Sequence, residues 1–92
     1  MTKNQKIIES LFFVTTVPLV QKDIIKVFGK DDTPDLKEEV SKLNNFYEKS
    51  SFYIKPIGDG FMMVSKKDYE PYISKLIPSK KLMLSNAALE VL

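Results

Sequence analysis

The chain has 92 residues, enough for one small domain with a single modest core, because a chain of this length buries only somewhat more than ~60% of its unfolded surface. It holds no Cys and no His, which removes the thiolate nucleophile, the imidazole base and the preferred ligands of zinc and copper, so neither catalysis nor a metal or other cofactor is expected. Its 14 basic residues against 12 acidic ones give a net charge of +2, and every basic residue is Lys; without the bidentate, planar contacts of Arg, sequence-specific reading of DNA is disfavoured, although weak phosphate contact is not.

The opening Met1-Thr2-Lys3-Asn4-Gln5-Lys6 lacks the apolar stretch of a secretory signal, and the longest apolar run, Leu11 to Val14, is too short to cross a bilayer, so a cytoplasmic location is expected. From Lys3 onward Ile7, Ile8, Leu11, Phe12 and Val14 recur at helical spacing with Lys6, Glu9 and Ser10 opposite. This predicts an amphipathic core helix near residues 3–16, ended by Pro18, which disfavours helical geometry in the residue before it. A second helix near 20–28 turns Ile24, Ile25 and Phe28 inward and stops at Gly29, the residue best suited to a left-handed helix end. A third is expected over 34–49, with Thr33 as N-cap, Pro34 at the first helical position and Asp35, Glu38 and Glu39 favouring the dipole. Its stripe is Leu36, Val40, Leu43 and Tyr47.

The hydrophobic period then changes. Residues 52–57 and 61–65 are rich in aromatic and β-branched side chains, and Gly58-Asp59-Gly60 between them predicts a hairpin turn, with Pro56 placing its strand at an edge. A further helix over 67–77 carries Tyr69, Tyr72, Ile73 and Leu76 on one side, expected as core, with Pro71 in its first turn and Pro78 closing it. Three helices followed by a two-stranded wing and an extra helix make an α+β winged helix-turn-helix domain over residues 1–78. Residues 79–92 read as a short linker and then, from Ser85, a capped apolar helix that stops after about two turns, too short to stand alone. The chain is therefore expected to be a fragment whose second domain begins at its end.

Two aromatic residues depart from their stripes. At ~100° per residue, Phe13 projects with Lys6 and Glu9, and Phe46 projects with Glu39 and Lys42. Both are candidate anchors of a protein interface, where aromatic side chains are enriched; the other possibility is that the wing, a loop or the added helix covers them. The third helix is a poor DNA reader, since Asp35, Glu38, Glu39 and Glu48 outnumber Lys37, Lys42 and Lys49. Gly58-Asp59-Gly60 lacks the later Gly and the Lys-Ser/Thr of a phosphate loop, and Asp31-Asp32 lacks the alternating ligands of a calcium loop.

IESLFFVTTVPL at Ile8 to Leu19, LNNFYEKSSFYI, GDGFMMVSKKDYEPYISKL and LSNAALEVL at Leu84 to Leu92 together resemble the bacterial segregation and condensation protein B family. They correspond to its opening helix and Pro-Leu turn, its third helix, its wing and following helix, and the start of its second winged-helix domain. The match covers nearly the whole chain in the same order; Val20 departs from it, where the family usually has a small capping residue. The resemblance implies a nucleoid-associated role in chromosome condensation and segregation, as an adaptor that homodimerises, binds the kleisin subunit (segregation and condensation protein A) and acts with an SMC ATPase. It assigns self-association chiefly to the amino-terminal domain and the kleisin contact to the carboxy-terminal one. The alternative for a helix-turn-helix of this order is a winged-helix DNA-binding transcriptional regulator.

Overall fold

The computed structural model describes residues 1–77. Helix α1 (Lys3–Val14) starts with a reciprocal cap in which the Gln5 N–H donates to the Thr2 hydroxyl at 3.1 Å and the Thr2 N–H donates to Gln5 Oε1 at 2.7 Å. It buries Ile8 and Phe12 but ends two residues before the expected 16, because Thr15 turns extended; Val14, in its last position, is left exposed rather than on the core face. In α2 (Gln21–Phe28) Ile24 is fully buried and Phe28 partly so, whereas Ile25, expected to point inward, is exposed. Residues adjacent in sequence lie ~100° apart on a helix, so a short helix resting on one row of side chains cannot bury both. Val20 has no capping oxygen, and its N–H instead donates to Asp23 Oδ2 at 3.0 Å. Gly29 ends the helix at φ 91°.

Helix α3 (Leu36–Phe46) corrects two expected boundaries. Thr33 and Pro34 do not start it: the Thr33 hydroxyl donates to the Gly29 carbonyl, and the cap is Asp35, whose carboxylate accepts from the Glu38 N–H. The Gln21 amide enforces this entry, donating to the Pro34 carbonyl at 3.0 Å and accepting from the Leu36 N–H at 2.7 Å. The helix stops at Phe46 rather than Lys49, and the Lys66 ammonium donates to the carbonyls of Tyr47 at 2.7 Å and Glu48 at 2.8 Å, a cation at a helix C-terminus. The predicted stripe is observed, with Leu36, Val40, Leu43 and Tyr47 all buried.

The wing pairs β1 (Phe52–Ile57) with β2 (Gly60–Ser65) antiparallel, with Ile57 opposite Gly60, so the loop is the two residues Gly58 and Asp59, with Gly58 left-handed at φ 58°. Gly60 lies in the strand rather than the turn, for a different reason. A Cβ there would sit 2.5 Å from the Leu19 carbonyl oxygen. Leu19 is a one-residue third strand, exchanging hydrogen bonds of 2.7 and 2.9 Å with Phe61. This makes β2 central and leaves β1, with Pro56, at the edge, as expected. That edge is partly closed by Asn44, whose side chain donates to the Ile54 carbonyl at 2.9 Å and accepts from its N–H at 2.8 Å.

The core thus gathers Ile8 and Phe12, Leu19, Ile24, the α3 stripe and Ile54. The architecture is the expected α+β winged helix. After the wing, a 3-10 turn (Lys67–Tyr69) leads into α4 (Glu70–Leu76), with Pro71 in its first turn. Here the expectation of a core stripe fails. Tyr69, Tyr72 and Leu76 are exposed and Ile73 only partly covered, with no residue of α4 buried, because none of the described elements packs across that side. Pro78 and the expected linker and truncated helix of 79–92 lie outside the described residues.

Candidate protein-interaction surface

Once Ile8 and Phe12 face the core, Phe13 must point elsewhere, and its ring is 80% exposed. It lines an open groove of about 610 Å³ between α1 and the base of the wing, with Glu9 and Ser10 from α1, Phe52 from β1 and Met63 and Val64 from β2 among its other walls. The lining is mostly apolar, and Glu9 is its one charged side chain. The Glu9 carboxylate is positioned from beneath: the Tyr47 hydroxyl donates to Glu9 Oε2 at 2.7 Å. Burial, and then the hydrogen bond to and negative charge of Glu9, push the Tyr47 phenol above the usual tyrosine range, so it remains a proton donor throughout the neutral range. Tyr47 also stacks at a tilt on Phe52, with centroids 4.9 Å apart, linking α3 to the groove wall.

Phe46 is 52% exposed at the end of α3 and does not line this groove. The structure therefore leaves both aromatic candidates at the surface but does not bring them together. Two features escaped the sequence reading. The groove's walls come from segments some fifty residues apart, which no local pattern reveals, and the α4 stripe is apolar surface rather than core.

Other chemistries find little support. Among the described residues there is no group of three or more Asp, Glu, His or Cys placed to hold a metal ion, and no helix is long and apolar enough to cross a membrane. On α3, Glu39 is buried against Lys42 at 3.6 Å, and the surrounding charge stays weakly acidic, the wrong sign for a helix lying along phosphates. What the surface offers is apolar and aromatic area with a single carboxylate at its margin, which suits protein contact.

Known proteins resemble the chain along almost its whole length. The family model for the segregation and condensation complex subunit ScpB matches residues 6–92. A segregation and condensation protein B from Clostridium perfringens is 33% identical over 91 residues, covering 96% of this chain and 47% of that protein. Among solved structures, a conserved hypothetical protein from Chlorobium tepidum superposes with a TM-score of 0.71 at 26% identity, over 94% of this chain and 56% of that one. ScpB from Mycobacterium tuberculosis superposes with a TM-score of 0.66 over 83% of this chain and 48% of that one; at 15% identity this likeness concerns the fold alone. The chain spans about half the length of these relatives.

Proposed function

Because the chain belongs to the family of the segregation and condensation complex subunit ScpB, we propose that it is a non-enzymatic adaptor module of a bacterial condensin-like complex. In this role it pairs with a second copy of itself and serves chromosome condensation and segregation at the nucleoid. The observation that carries the pairing is Phe13, an aromatic side chain held 80% exposed beside an apolar groove. An isologous pair uses the same patch on both copies, so each anchor contributes twice. Phe46 is the second candidate, less exposed and away from the groove. The kleisin subunit and the SMC ATPase are partners of the assembled complex, with the kleisin contact made mainly outside this chain. A DNA-reading regulator is disfavoured by the acidic balance of α3 and the absence of Arg.

Sedimentation across a concentration series tests the pairing. The wild-type chain is expected to dimerise, and Phe13→Glu to weaken the dimer by about ten-fold or more while circular dichroism stays native; Phe46→Glu should do less. A wild type that stays monomeric at high micromolar concentration overturns the proposal. If the wild type dimerises and both variants match it, the choice of anchors is wrong.

A further inference from the structure

Among the described residues, two apolar features are left uncovered. One is the groove walled by α1 and the wing; the other is the side of α4 bearing Tyr72 and Leu76, the latter 82% exposed. A helix of seven residues is marginal in water and persists through tertiary packing, which the described part of its own chain does not supply. Its own groove is not where α4 lies, and the chain leaves the wing from a fixed point beside it. Lys66, the residue between β2 and the 3-10 turn, is tied three times: its N–H donates to the Ser51 carbonyl at 2.8 Å, and its ammonium donates to the carbonyls of Tyr47 and Glu48. The groove wall is Met63 and Val64, immediately before that anchor. No residue of α4 lines this groove, and with Lys66 fixed only the three residues of the 3-10 turn separate the groove wall from the start of α4. A second copy is under no such constraint.

We propose that α4 of each copy lies in the groove between α1 and the wing of the other, a closed reciprocal exchange that covers both features at once; it rests on the dimer reading above. Charge agrees with this occupant. The groove's one charged side chain is the Glu9 carboxylate, and the last turn of α4 carries Lys75, whose ammonium stands 6.0 Å from the Tyr72 ring centroid. Phe13 and Phe52 supply aromatic surface on the groove side and Tyr72 on the helix side, while the two-fold repeats each contact.

Paired variants of the 92-residue chain separate this exchange from other dimers. Phe13→Glu spoils the groove and Leu76→Glu spoils the helix; both side chains are exposed in the monomer, so folding should survive. Each variant alone is expected to dimerise about ten-fold or more weakly than wild type. An equimolar mixture restores one of the two contacts, the intact α4 of the Phe13→Glu chain in the intact groove of the Leu76→Glu chain, while the other contact carries both substitutions, so any gain in dimer over the single variants is partial. A second readout keeps the charge and apolar anchors of the groove: the chain has no Cys, so a Ser10→Cys chain mixed with a Lys75→Cys chain should cross-link preferentially as the mixed pair on oxidation. Cysteine chains that cross-link no more as the mixed pair than as either chain alone point to contact between like surfaces and overturn the exchange. So does a Leu76→Glu chain that dimerises as wild type does, which leaves dimerisation itself intact. A monomeric wild type removes both proposals.

Discussion

Helices α3 and α4 carry apolar stripes of similar quality, yet one is wholly buried and the other lies open. Leu36, Val40, Leu43 and Tyr47 disappear beneath α1, α2 and the wing, while Tyr69, Tyr72 and Leu76 remain at the surface. Helical period decides which side chains share a face; it does not decide whether anything covers that face. What distinguishes the two helices is the set of polar ties from elsewhere in the chain. Gln21 holds the entry of α3, Lys66 holds its exit, and Asn44 fastens it to the backbone of Ile54. The side-chain hydrogen bond within α4 is local, from the Ser74 hydroxyl to the Pro71 carbonyl.

The contrast is sharpest for leucine truncations. Leu43→Ala, at a fully buried site, is expected to cost about 2–5 kcal/mol, whereas Leu76→Ala should leave the monomer within ~0.5 kcal/mol of wild type; urea unfolding at concentrations below dimerisation measures both. Equal losses would mean that α4 packs on its own domain after all. Next in size, Asn44→Ala strips both backbone groups of Ile54 of their side-chain partner and should cost about 1–3 kcal/mol, with faster amide hydrogen exchange at Ile54 than at other β1 positions. Unchanged exchange there would show that the Asn44 tie contributes nothing.

A pair of tyrosines makes the smallest comparison. Tyr47→Phe is expected to cost about 1 kcal/mol near neutral pH through loss of the bond to Glu9, and Tyr72→Phe should cost nothing measurable in the monomer. The Tyr47 phenol is raised above its ordinary value of 10.0 in the folded state. Its contribution is therefore complete below pH ~10, where folded and unfolded forms are both protonated, and declines as pH rises further and the unfolded form ionises first. Thermal melts from pH 8 to 11 should show the gap between wild type and Tyr47→Phe narrowing at the alkaline end. A gap that widens would contradict that direction.

Much of this was legible in the residues. The change from helical to alternating period located the four helices and the two wing strands, and the displacement of Phe13 and Phe46 from their stripes left each exposed unless another element covered it; both are exposed. The failures share a cause. Thr33 and Asp35 are both competent caps, and the choice between them is made by Gln21, some fifteen residues away. Gly60 sits where a turn glycine would, but it is needed because Leu19 approaches it, a contact invisible to any local window. The α4 stripe has the right spacing for a core helix, and no pattern within it could say that the rest of the domain lies elsewhere. The proposed interface role of the aromatics rests on surfaces supplied by a partner, which one chain's periodicity does not encode.

The pairing of Leu19 with Phe61 also sets an order of events in folding. The wing hairpin closes through neighbours across a two-residue loop, a step of about microseconds. The joint to Leu19 instead closes a loop of about forty residues that contains both α2 and α3, and its entropic cost is met only when those helices have collapsed between its ends. The hydrogen bonds between Leu19 and Phe61 are therefore expected among the last of the sheet to form, as α2 and α3 collapse between their ends.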